Sequence, residues 1–151
     1  MGDVYQMTAS FNEKSVEVII ANKLGYERIA MACSASFAQM MGFSAERIED
    51  LKTVVAEAAI NAIQHGNKQH PDANVTVFMN FKDDTINVSV MDAGDGIKEF
   101  PPKPDIGRII DNLDTPVGFG LFLINQLADR VEFNEMANGG NVVKMVFRMK
   151  K

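Results

Sequence analysis

Apolar residues recur along this chain in two rhythms, and each predicts its own kind of element. Runs rich in β-branched residues, at 15–21 ("SVEVIIA"), 74–81 ("NVTVFMNF") and 85–93 ("TINVSVMDA"), alternate apolar with polar positions and predict strands. The last two are joined by the short polar link "KDD", which predicts a hairpin. Apolar positions near helical spacing predict a helix over 26–43, closed by Gly42, and a second over 44–67, stopped at Gly66. Ser44 is the candidate N-cap of the second helix, but Arg47 stands where a full capping box would carry Glu or Gln. Further on, "GFGLFLINQLADRVEF" predicts a helix running into a strand, and "NGG" a turn before a final strand at 141–150.

This order of helices and hairpins predicts an α+β two-layer sandwich rather than repeated βαβ units. One stretch, 98–117, lacks either rhythm and holds four of the five prolines. Twenty such residues inside a compact unit predict a functional loop or lid, with a plain connector as the other reading. A length of 151 residues at 46% hydrophobic composition is enough for one domain, 1–151, with a real core.

Charge and cysteine usage narrow the function classes. A net charge of −5 with no Lys/Arg cluster argues against a nucleic-acid partner, which needs a basic stripe to displace counterions from phosphates. No run approaches the roughly 18 apolar residues of a membrane span, and the N-terminus lacks a signal-peptide core, so the expected location is the cytoplasm. The single cysteine, Cys33, cannot form an internal disulfide, and it reads as a small buried hydrophobe within "AMACSASF". The ten Met residues read as core fillers.

Three stretches carry candidate chemistry. In the second helix Leu51, Val54, Val55, Ala58 and Ala62 share one face, while Glu57, Asn61, Gln64 and His65 share another. Glu57 and Asn61 lie one turn apart, so a cleft beside them would receive a proton acceptor and an amide oxygen together. A solvated face is the plainer reading of that spacing alone, and His65 in the last turn suits the helix dipole. In "MDAGDGI" (91–97), Asp92 ends an apolar strand ahead of Gly94 and Gly96, offering a fixed acceptor beside backbone that a flat ligand can approach; a tight turn reads equally well. Such a carboxylate would take the exocyclic amine of adenine, whereas guanine has an oxygen there. In "GFGLFLINQLAD", Gly118 and Gly120 precede a helix whose start would attract a phosphate.

Taken in order, the E-x-x-x-N helix, the D-x-G-x-G after a strand, the lid and the G-x-G before a helix resemble the N, G1 and G2 boxes of the histidine-kinase-like (GHKL) ATPase superfamily. Within it, "LKTVVAEAAINAIQHGN" is most similar to the bacterial anti-sigma-factor serine/threonine kinases. The resemblance implies the Bergerat fold, a mixed sheet covered by helices on one face. It implies an ATP- and Mg²⁺-dependent kinase that phosphorylates a serine on a STAS-type anti-anti-sigma protein and controls a sigma factor by partner switching, commonly as a homodimer. Glu57 would be the general base and Asn61 the Mg²⁺ ligand. Asp92 would read adenine, with Gly94, Gly96 and Ile97 admitting base and ribose. Gly118, Phe119, Gly120 and Leu121 would lie by the phosphates, and His65, Gly66 and Asn67 would border the site.

The chain departs from relatives at three places. Thr115 and Pro116 stand where relatives carry an Arg before the G-x-G, leaving Arg108 as the lid's arginine; "NGGN" (138–141) replaces a frequent Thr, and Ile60 another. Two other functions fit: a non-catalytic ATP-binding regulator whose lid gates partner binding, and a stand-alone ATPase or kinase lobe of a histidine-kinase system. An intact Glu57 favours catalysis.

Overall fold

The computed structural model describes residues 14–67, 70, 72–93, 116–137 and 139–150. Strand β1 (Ser15–Ala21) is followed by helices α1 (Glu27–Met40) and α2 (Ala45–Asn61), and α2 continues into a π-helical turn, Ala62–Gly66. The hairpin of β2 (Asn74–Lys82) and β3 (Thr85–Asp92) comes next, then α3 (Pro116–Leu127), β4 (Arg130–Glu135) and β5 (Asn141–Arg148). Both central residues of the hairpin turn, Asp83 and Asp84, have φ near +55°, at 53° and 58°. That is the twist a two-residue hairpin loop requires, and aspartate tolerates it better than most residues.

The strands form one sheet in the order β1-β2-β3-β5-β4, and every neighbouring pair is antiparallel. The expected mixed sheet is therefore corrected. Two successive helices, α1 and α2, return the chain to the end of the sheet it left, so β2 lies antiparallel to β1. The single helix α3 leads to β4, which runs in the same direction as β3, but β5 slots between them and separates that parallel pair.

Alternation sends Val75, Val77 and Met79 of β2, and Ile86, Val88 and Val90 of β3, into the core that α2 and α3 cover with Leu51, Val54, Val55 and Ile124. Each large apolar side chain so buried contributes about 1.5–3 kcal/mol. The lid boundary also moves: helix α3 begins at Pro116, so Gly118 and Gly120 lie inside its first two turns rather than ahead of it. Proline suits the first helical position because its missing N–H would have had no intrahelical partner. No helix among the described residues is long and apolar enough to cross a membrane.

Ser44 caps α2 as expected, accepting from the backbone N–H of Arg47 at 3.2 Å. The Arg47 side chain has a different use. Only 3% exposed, it donates to Asp129 Oδ2 at 2.7 Å, to Asp50 Oδ2 at 3.2 Å and to the carbonyl of Arg148 at 3.1 Å. Its guanidinium lies 5.0 Å from the centre of the Phe147 ring. Asp129 Oδ2 also accepts from the backbone N–H of Arg148 at 2.7 Å. One guanidinium thus ties the start of α2 to the α3–β4 junction and the end of β5.

Candidate functional site

At the other end of α2 lies a cavity of about 230 Å³, lined among others by Asn61, Gly66, Asp92, Leu121 and Asn141. Asn61 lines it from α2, Glu57 lies one turn earlier on the same helix, and α3 approaches both through Gly120. A β-carbon on Gly120 would lie 2.6 Å from Glu57 Oε2 and 3.7 Å from Asn61 Nδ2, so any larger residue here would push the Glu57 carboxylate from its place. Burial raises the Glu57 carboxyl above its ordinary value near 4.5, because the charged form loses solvation. Asn61 Nδ2 is buried without a hydrogen-bond partner among the described residues. Such an orphaned group costs about 1–3 kcal/mol, which a ligand at this position would offset.

The π-helical turn sets the opposite wall. The backbone N–H of Asn67 bonds to the carbonyl of Ala62 at 2.8 Å, five residues back, and this wider turn brings Gly66 against the Asp92 carboxylate. Asn67, 1% exposed, then clamps three segments together. Its Oδ1 accepts from the Ala93 N–H at 2.8 Å, and its Nδ2 donates to the Asn74 carbonyl at 3.2 Å. Asp92 is held from the other side by Asn141, whose Nδ2 donates to Asp92 Oδ1 at 3.2 Å across the β3–β5 ladder. A methyl at residue 66 would overlap the Asp92 carboxylate. Gly66→Ala is therefore expected to destabilise the fold by about 1–3 kcal/mol, read as a lower denaturant midpoint. An unchanged midpoint would contradict this packing.

Of the expected site residues, Asn61, Gly66, Asp92 and Leu121 line the cavity, and Glu57 and Gly120 lie against each other beside Asn61. Gly118 and Phe119 lie in the first turn of α3. His65 is exposed and does not line the cavity, because the π turn carries it outward to the helix end where its dipole role remains available. Gly94, Gly96, Ile97 and the lid as far as residue 115 lie outside the described residues. The sequence reading missed Asn141, Phe133 and Val143, which line the cavity from β5 and β4. Asn141 was marked only as part of the "NGGN" that replaces a frequent Thr, and the signal for Phe133 and Val143 is strand register, which needs the sheet order first.

An antiparallel sheet backed by helices, with a carboxylate and an amide on one helix facing a glycine-bearing helix start, defines a histidine kinase-like ATPase. The family described as "Histidine kinase-like ATPase domain" matches residues 20–147. The chain is 32% identical over 129 residues to the serine-protein kinase RsbW of Oceanobacillus iheyensis, covering 82% of this chain and 80% of that protein. It is 30% identical to RsbW of Bacillus subtilis over 125 residues, 80% and 78% of the two chains, and 34% identical to RsbW of Listeria innocua over 111 residues, 71% of each. The chain belongs to the RsbW serine-protein kinase family of histidine kinase-like ATPases. Its fold is shared with a solved structure of the RsbU and RsbW domains of a Mycobacterium tuberculosis protein, at a TM-score of 0.65 and 16% identity, covering 89% of this chain and 32% of that one.

Proposed function

We propose that this chain binds Mg-ATP in the cavity, phosphorylates a serine on a STAS-type anti-anti-sigma protein, and holds a sigma factor inactive until partner switching releases it. The observation that carries the reading is that Asn61 and Asp92 line one cavity, with Glu57 one helical turn before Asn61 and its carboxylate beside Gly120 of α3, in a chain of the RsbW family. Asp92 accepts the exocyclic amine of adenine, and Gly66 keeps the wall behind it thin. The first turn of α3 offers backbone N–H groups to the phosphates.

Asn61 suits a magnesium ion, because a hard cation that keeps most of its waters and takes phosphate oxygens needs only one or two protein oxygens. Rotating the amide by half a turn exchanges its nitrogen for its oxygen, and the unpartnered position at the cavity is where that oxygen would serve. When bound, Mg²⁺ neutralises charge on the β- and γ-phosphates. Glu57 takes the proton from the serine hydroxyl as that oxygen attacks the γ-phosphorus. The bond from phosphorus to the β–γ bridging oxygen breaks, and ADP leaves. By resemblance to its family, the chain works as one domain, in the cytoplasm and as a homodimer; light scattering after size exclusion reads the last of these.

Asp92→Asn tests the nucleotide assignment. Asp92 must accept from both Asn141 and the adenine amine, and a carboxylate has two oxygens where an amide has one. ATP affinity is expected to fall by at least about a hundredfold, the equivalent of a charge-assisted hydrogen bond lost and a donor left unmet. Normal affinity by titration calorimetry would remove Asp92 from the base site.

A further inference from the structure

We infer that the face of the sheet turned away from the helices is a docking surface, and that its occupant is the chain's own N-terminal segment, residues 5–11; the inference does not depend on the nucleotide reading. Register places Phe78 of β2 beside Ser89 of β3, and Met91 of β3 beside Val142 of β5, on the side opposite the core residues Val77, Val88 and Val90. With Met136 the three apolar residues form a small cluster of their own, to which no described helix contributes. An antiparallel sheet with one bare face keeps that face in water. Yet Phe78 and Val142 are 3% exposed, Ser89 5% and Met91 7%, whereas Ile19, on the same face of the edge strand β1, is 59% exposed. The middle of this face is therefore covered while its rim is not, and the described helices pack on the other face.

Connectivity and sequence select the cover. Two longer stretches lie outside the described residues, 1–13 and 94–115. The second starts and ends in the helix layer: the N–H of Ala93 is held by Asn67 at the end of α2, and Pro116 opens α3. Residues 1–13 instead join the sheet in its own plane, at Lys14, whose carbonyl accepts from the Phe81 N–H at 2.9 Å beside the start of β1. From Lys14 back to Tyr5 the extended chain reaches about 30 Å, and β5 lies about 14 Å from β1, three strand spacings away. The stretch "YQMTASF" (5–11) alternates without a break, with Tyr5, Met7, Ala9 and Phe11 in one set and Gln6, Thr8 and Ser10 in the other. Such a stretch needs one apolar surface to lie on. Phe78, Met91 and Val142 supply it, with a ring and a thioether that pack well against aromatic and Met side chains. The cover backs Met91 and Val142, the chain neighbours of Asp92 and Asn141, so it forms a second layer behind the cavity end of the sheet.

The chain has no tryptophan, so single indoles placed in the full chain report on this contact. Met7→Trp and Phe11→Trp are expected to emit at shorter wavelength, and to be quenched by acrylamide severalfold less, than Thr8→Trp and Ser10→Trp. Phe78→Thr, added to Phe11→Trp, should bring its quenching up to the level of Ser10→Trp, with thermal unfolding confirming that the chain is folded. Ser89→Lys, which puts a charge on the covered face, should do the same and covers the case in which Phe78→Thr does not fold. Equal quenching at all four positions, or protection of Phe11→Trp that survives both face variants, would overturn the inference. Protection that grows with protein concentration would overturn it too, because the occupant would then come from a second copy of this chain.

Discussion

Glu57→Ala is expected to slow phosphoryl transfer to the partner serine by about 10²–10⁴, with ATP affinity changed by no more than about twofold. The split between binding and rate follows from position. Glu57 sits on α2 against Gly120 of α3, whereas the base is read at Asp92 at the end of β3. A general base is most effective when its proton affinity is close to the working pH, and partial burial moves the Glu57 carboxyl in that direction. The rate should therefore fall as the pH is lowered through the raised value, at higher pH than a fully solvated glutamate would give. Stability carries the opposite sign. Below the ordinary value near 4.5 the carboxyl is protonated in folded and unfolded chains alike, and burial costs nothing. As the pH rises, the unfolded chain ionises first, so the native state loses ground. Glu57→Gln should unfold at a higher temperature than the wild type at neutral pH, and the gap should close in acid. A Gln variant less stable than the wild type at neutral pH, or one with undiminished kinase rate, would show that Glu57 is held by contacts rather than poised for chemistry.

The second large effect lies about 15 Å along α2 from the base, at ten residues of 1.5 Å rise. Arg47→Met should destabilise the protein by about 3 kcal/mol or more, because removing one member of a buried ion pair leaves the other charge desolvated. Asp129 and Asp50 are 16% and 15% exposed, so water can reach them and the loss belongs at the lower end of the range for buried pairs. For a chain of this size about 3 kcal/mol lowers the unfolding midpoint by roughly 6–12 °C. Lysine should rescue little: a single ammonium cannot reach Asp129, Asp50 and the Arg148 carbonyl at once, nor lie flat over Phe147. ATP affinity measured well below the midpoint should be unchanged. A midpoint shift of under about 3 °C would mean that the network contributes no more than a surface pair does.

These two residues mark what could and could not be read from the chain. Glu57 and Asn61 were legible as a pair because helical spacing is a local property, and nothing between them interrupts α2. The β2–β3 hairpin was legible for the same reason, since alternation and the two-aspartate turn both act within a few residues. Arg47 was visible only as a missing half of a capping box. Two of its partners, Asp129 and the Arg148 carbonyl, lie 82 and 101 residues away, and they meet it at the α3–β4 junction and the end of β5. The pairing of Asn141 with Asp92 was likewise hidden, since it arises through strand register. His65 is exposed in the π turn Ala62–Gly66, a departure from regular helical geometry that side-chain spacing does not reveal. The start of α3 was placed late, after Pro116, because proline was taken as part of the lid when it is the first helical residue.

The central claim is that the cavity holds ATP for transfer to a serine, and intact-mass analysis tests it most directly. A candidate STAS-type partner is incubated with this protein and Mg-ATP, alongside Glu57→Ala. The account predicts one added phosphate on the partner with the wild type and none, on the same time scale, with the variant. A partner that stays unmodified in a complex whose affinity still depends on ATP would contradict it, and would make the chain a nucleotide-gated binding protein.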